Sequence, residues 1–147
     1  MMKTRLVILL LTLFLGVGNT FAATVQEVDQ RLDSLFGSHQ PYRDFFMDLQ
    51  KAVAAKDKDR VVTLVAYPLK VGVKGKEHIF RTPAMLKKRY DSVFTPELSQ
   101  IIVSQKYEEL FARDQGVMMG DGQLWFSGVC ADKACKKSRV LITRINQ

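Results

Sequence analysis

Apolar residues recur at helical spacing through TVQEVDQRLDSLFG, where Val25, Val28, Leu32, Leu35 and Phe36 share one face. Thr24 and Glu27 stand at capping-box spacing ahead of them and Gly37 ends the run, so a short helix is predicted between those signals. PYRDFFMDLQKAVAAKD repeats the pattern behind a proline start, with Tyr42, Phe45, Phe46, Leu49 and Val53 in one stripe. Asp57 is placed to cap a third helix over DRVVTLVAY, in which Val61, Leu64 and Val65 fall together. Then the period drops to two. Tyr67 precedes Pro68 and is expected to be extended, and LKVGVKG alternates Leu69, Val71 and Val73 against Lys70, Gly72 and Lys74. KEHIFR is expected to pair with that strand through a turn at Gly75.

Two further helices are signalled by Thr82-Pro83 and Thr95-Pro96, each a capping hydroxyl before a proline at the first helical position. The first turns Leu86, Tyr90, Val93 and Phe94 to one side, and the second Leu98, Ile101 and Ile102. QKYEELFARDQ fits either a helical turn or a strand. From Gly116 the chain reads as β. Asp121-Gly122 suits a type I′ turn, whose closure pairs Met119 with Leu124, Met118 with Trp125 and Val117 with Phe126. Val117, Met119, Leu124 and Phe126 then share one face and Met118 and Trp125 the other. Both faces are apolar, which predicts a ribbon covered on both sides, with helix as one cover and a pocket as the candidate for the other. With Cys130 facing Cys135 across ADKA, SRVLITRIN completes a meander that sets Phe126 opposite Arg139, Trp125 opposite Val140 and Leu124 opposite Leu141.

Helices first, a short hairpin, capped helices and a long C-terminal antiparallel meander together resemble the nuclear transport factor 2-like α+β cone fold, also seen in ketosteroid isomerase and limonene epoxide hydrolase. YDSVFTPEL followed by GVMMGDGQLWF is similar to small exported bacterial proteins of that superfamily that lack an assigned activity. The resemblance implies an α+β domain with helices packed in the concavity of a curved sheet, and in some members a pocket between them. It transfers no catalytic residue, because no position here aligns with the tyrosine and carboxylic acids of the isomerase branch.

The first 22 residues, MMKTRLVILLLTLFLGVGNTFA, alter the chemical setting: Lys3 and Arg5, an apolar run from Leu6 to Leu15, and small residues Thr20 and Ala22 together read as a signal peptide. The apolar run is shorter than the ~20 residues that span a bilayer, and no lipid-accepting cysteine follows it. The expected mature chain, residues 23–147, is one domain in the periplasm or outside the cell, with no stable membrane anchor. Of the +7 net charge, Lys3 and Arg5 contribute two, which leaves the mature chain at +5. Its lysines are scattered, without interleaved aromatic platforms, so a solvated surface rather than nucleic-acid binding is expected. In an oxidising compartment Cys130 and Cys135 are expected to form a disulfide, worth about 2 kcal/mol by loop closure. A metal site at the cysteines would need further ligands, and His39 and His78 are the only histidines.

Candidate chemistry is sparse. Tyr67, His78, Tyr90, Asp91, Met118 and Trp125 are the pocket candidates. His78 shares a strand face with Phe80 and is aimed at the concavity if that face turns inward. Tyr90 lies in an apolar stripe with Asp91 beside it, whereas Met118 and Trp125 suit either core or a pocket floor. Glu108 and Glu109 diverge, and no phosphate loop, nucleophile elbow or dinucleotide fingerprint is present. These features imply no cofactor and an exported binding protein for an unidentified protein or small ligand, with an inhibitor or immunity-type protein as one version. The other reading is an isomerase, dehydratase or hydrolase with an apolar cone pocket.

Overall fold

Capping chemistry sets the helix boundaries. In the computed structural model, which describes residues 23–147, the capping box forms: Thr24 Oγ1 accepts from the Glu27 amide and Glu27 accepts from the Thr24 amide, opening α1 (Val25–Phe36). Gly37 closes it in the left-handed conformation, at φ 84°, where an amino acid with a Cβ would be strained. α2 (Gln40–Ala54) buries Tyr42, Phe45, Phe46, Leu49, Ala52 and Val53. Asp57, Thr82 and Thr95 cap α3 (Lys58–Thr63), α4 (Pro83–Lys88) and α6 (Pro96–Ser104) through their side chains. The helix expected after Thr82 is interrupted at Arg89, which leaves helical geometry, and resumes as α5 (Tyr90–Val93). Leu86, Tyr90, Val93 and Phe94 remain buried across the break.

Six strands form one mixed sheet. They are β1 (Val65–Val73), β2 (Lys76–Phe80), β3 (Phe111–Arg113), β4 (Gly116–Met119), β5 (Leu124–Cys130) and β6 (Ser138–Asn146), in the spatial order β2-β1-β6-β5-β4-β3. Only β1 and β6 run parallel; the other neighbours are antiparallel. β1 begins earlier than the periodicity predicts, because Val65 to Tyr67 join the strand rather than extending α3. The β1–β6 register shifts between Val65 and Lys70, a stretch containing Pro68, which has no N–H to donate to the ladder. The stretch QKYEELFARDQ divides between both expectations: a 3₁₀ turn at Tyr107–Glu109, then β3.

The β4–β5 pairing is the expected one. Its turn is different: positive φ falls on Gly120 and Gly122 rather than on Asp121 and Gly122. The β5–β6 register also departs from expectation. Phe126 faces Ile142, Trp125 faces Arg144 and Leu124 faces Ile145, and Cys130 faces Ser138 rather than Cys135. The cause is inward spacing. Ile142 and Ile145 are both fully buried but three residues apart, while their partners Phe126 and Leu124 are two apart, so β6 must accommodate an extra residue. Thr143 takes that place, and its hydroxyl donates to the Trp125 carbonyl at 3.3 Å. Cys135 lies in the loop beyond the strands, with Cα 4.8 Å from that of Cys130, and the two form the disulfide. The staple therefore closes a loop and not a cross-strand pair.

Helices cover one face of the sheet. Phe126 packs against Phe45 at 4.9 Å between ring centroids and against Tyr42 at 6.3 Å, while Tyr42 stacks on Phe36. Leu49, Leu69, Leu86, Ile102, Met119 and Leu124 are fully buried around them. Burying one such side chain stabilises the fold by about 2 kcal/mol relative to leaving it in water. Among the described residues no helix covers the opposite face of the β4–β5 ribbon, contrary to the expectation of two covered sides: Met118 and Trp125 are only half-buried. The fold is thus α+β, with helices on one side of the sheet. The expected signal peptide and its cleavage point lie outside the described residues. Among those residues, no helix is long and apolar enough to cross a membrane.

Candidate functional site

Strand register assembles a row of side chains across the uncovered face. Phe111 pairs with Met118, Met118 with Trp125, Trp125 with Arg144, Arg144 with Lys70, and Lys70 with Ile79, so one line crosses all six strands. Alternation puts these positions opposite the buried ones: Val117 and Met119 flank Met118, and Leu124 and Phe126 flank Trp125. The two apolar ends of the row, Phe111 and Ile79, are 48% and 44% exposed. Its centre is aromatic and cationic.

Arg113 follows Phe111 by two positions and shares its face. Its guanidinium carbon sits 5.5 Å from the centroid of the Trp125 ring, and its Nη2 donates to Gln115 Oε1. Arg144, directly across from Trp125, donates from Nε to Asn146 Oδ1 at 2.9 Å and from Nη1 to Glu77 Oε2 at 3.4 Å. Glu77 also pairs with Lys70 at 3.3 Å. Arg144 and Asn146 form a ridge between two depressions. One, of about 310 Å³, is lined by Arg113, Gln115, Trp125 and Thr143, and the other, of about 370 Å³, by Gly72, Lys76, Glu77 and Gln147. The close approach of β4 to β5 beside this face requires Gly116: a Cβ there, at φ 136°, would stand 2.7 Å from the Phe126 carbonyl oxygen.

The residues singled out from sequence do not converge. Met118 and Trp125 lie on the uncovered face. His78 is on the helical side of β2, opposite Val71, where it is exposed beside a depression of about 210 Å³ that Phe80, Arg89 and Val93 also line. Tyr67 is half-buried and donates to the Val62 carbonyl at 2.9 Å; burial pushes its phenol up to about 12. Tyr90 and Asp91 border a groove of about 320 Å³ over Val53, Phe94 and Pro96, with Lys56 and Lys58 at its rim. Tyr90 stacks on Phe94 at 4.8 Å, and burial, followed by the charges of Asp91 and Asp57, pushes it up to about 12. Asp91 is exposed and paired with Lys58 at 2.8 Å, and Lys58 in turn sits 5.2 Å from the Tyr90 ring centre.

A polar cluster escaped the sequence reading. Tyr107 donates to Asp29 Oδ1 at 2.7 Å, Arg43 reaches Asp29 at 3.4 Å and lies over the Tyr107 ring, and His39 Nδ1 is 2.8 Å from Asp33 Oδ1. Burial and the Asp29 hydrogen bond push the Tyr107 phenol up, while hydrogen bonds from His39 hold the Asp33 carboxyl down. The cluster ties the α1–α2 corner to the 3₁₀ turn. Asp29, Asp33, His39 and Arg43 are close in the chain, but Tyr107 lies 78 residues from Asp29, so no local pattern signals that contact. Arg113 and Arg144 were missed as well, since their positions on the sheet depend on β3 and on the β6 register.

Nowhere among the described residues do three or more His, Cys, Asp or Glu gather in an arrangement that could hold a metal ion. No buried side-chain nitrogen or oxygen among them lacks a hydrogen-bond partner. No protein-family model matches this chain, and neither a curated protein nor a solved structure matches it.

Proposed function

We propose that this is an exported, non-enzymatic binding protein whose contact surface is the uncovered face of its sheet. One observation carries the reading: the helical side is filled with apolar side chains, while the opposite side leaves Trp125 half-buried between Arg113 and Arg144, with no element of the described residues over it. Tryptophan and arginine are the residue types most enriched where binding energy concentrates. The Cys130–Cys135 disulfide supports an oxidising compartment. The nuclear transport factor 2-like resemblance, drawn from the order of elements in the sequence, is part of this proposal and does not carry it.

The groove at Tyr90 and Asp91 is the observation in favour of a small-molecule enzyme. It argues weakly, because a phenol near 12 holds its proton at neutral pH and the exposed Asp91 is already paired with Lys58. The test is retention of a ligand from the exported fraction by the wild-type chain and by Trp125→Ala and Tyr90→Phe. Retention that is lost only with Trp125→Ala supports the surface. Loss only with Tyr90→Phe, or a turnover activity that depends on Tyr90 or Asp91, overturns it in favour of the groove.

A further inference from the structure

We infer that Arg113, Trp125 and Arg144 are the centre of a docking site for an acidic protein, which sets an apolar side chain against the indole and carboxylates against the two guanidiniums. The inference rests on the binding reading above and adds the partner's chemistry. Three observations support that chemistry. The first is charge: the strand positions of this face carry Lys70, Arg113, Arg139 and Arg144 against one carboxylate, Glu77. Complementary charge steers encounter and rejects wrong partners.

The second is preorganisation. Arg113 is held by the indole and Gln115, and Arg144 by Asn146 and Glu77, so both planar forks are oriented before a carboxylate arrives. Ordering these long side chains in the free protein lowers the entropy lost on binding. The third is shape. The ridge of Arg144 and Asn146 separates two polar depressions, and Met118 and Phe111 extend the apolar side of the indole. An acidic partner with one apolar anchor fits this division into an apolar half and a cationic half.

Other occupants fit less well. A second copy of the chain would bring guanidiniums against guanidiniums. A nucleic-acid strand wants successive aromatic platforms, whereas here Met118 stands between Trp125 and Phe111, a cation is already near the indole, and Glu77 opposes phosphate.

The test uses the exported protein and a dye-labelled, tryptophan-free peptide in which single leucines are flanked by glutamate pairs, followed by anisotropy. Saturable binding is expected, with a loss of about tenfold for Arg113→Gln and for Arg144→Gln, since truncated hot-spot contacts commonly cost that much. Roughly 1 M salt should abolish it, because screening then acts over about 3 Å. Trp125 is the only tryptophan, so its emission should change as unlabelled peptide is added. Equal binding of the lysine-for-glutamate peptide overturns the assignment. So does tighter binding of oligothymidylate, or an Arg144-dependent doubling of the protein's mass in solution. If the acidic peptide fails while Trp125→Ala still abolishes ligand retention from the exported fraction, the partner chemistry is wrong and the surface reading stands. If retention also survives Trp125→Ala, both fall.

Discussion

Trp125 and Phe126 are adjacent on one strand and live in different solvents. Phe126 is fully buried against Phe45 and Tyr42 of α2, whereas Trp125 looks outward between two arginines. Strand alternation alone separates them by face. What differs is the supply of cover: the helices pack on Phe126's side, and the larger aromatic is left at the surface. A large aromatic residue in an apolar-looking ribbon is therefore not evidence of core unless something is available to bury it.

The comparison breaks most visibly at Phe126. Phe126→Ala should destabilise by about 4 kcal/mol, as expected for a phenylalanine deleted from a packed core, and denaturant unfolding measures it. Alkaline pH probes the same covered side. The folded-state values of Tyr67 and Tyr90 are raised above the ordinary 10.0 by burial, so their stabilising contribution is complete below pH 10 and is lost as pH rises towards about 12. Phenolate absorbance should appear together with unfolding in that window, and Tyr90→Phe should weaken the dependence. Reduction of Cys130–Cys135 should cost about 2 kcal/mol and leave the β4–β5 register intact, because the staple closes only the loop between β5 and β6. Thermal melts with and without reductant measure this. Tyr107→Phe should cost about 1 kcal/mol, the net worth of its hydrogen bond to Asp29, read by the same unfolding assay.

Local signals were legible in the sequence, and non-local ones were not. The caps at Thr24, Asp57, Thr82 and Thr95 and the stop at Gly37 depend on neighbours a few residues away, and all five form as read. The Val117–Phe126 pairing was also readable, because the glycine-rich turn lies beside it. The β6 register was not. Facing the cysteines across the ladder placed Arg139 opposite Phe126; the three-residue spacing of Ile142 and Ile145, which demands a bulge, held the correct answer. That one error hid Arg144 from the site, and the double character of QKYEELFARDQ hid Arg113. Trp125 and Met118 were read onto their face correctly, while the lack of cover over them among the described residues depends on which side of the sheet the helices pack.

Trp125→Ala carries the smallest expected change in stability and tests the central claim most directly. Melting of this variant should be measured alongside anisotropy of the acidic peptide. A half-buried indole on an uncovered face predicts a melting temperature lowered by no more than about 5 °C, together with peptide binding weakened at least about tenfold. A collapse in melting comparable to that of Phe126→Ala, with peptide affinity unchanged, would contradict the account and make Trp125 part of the core.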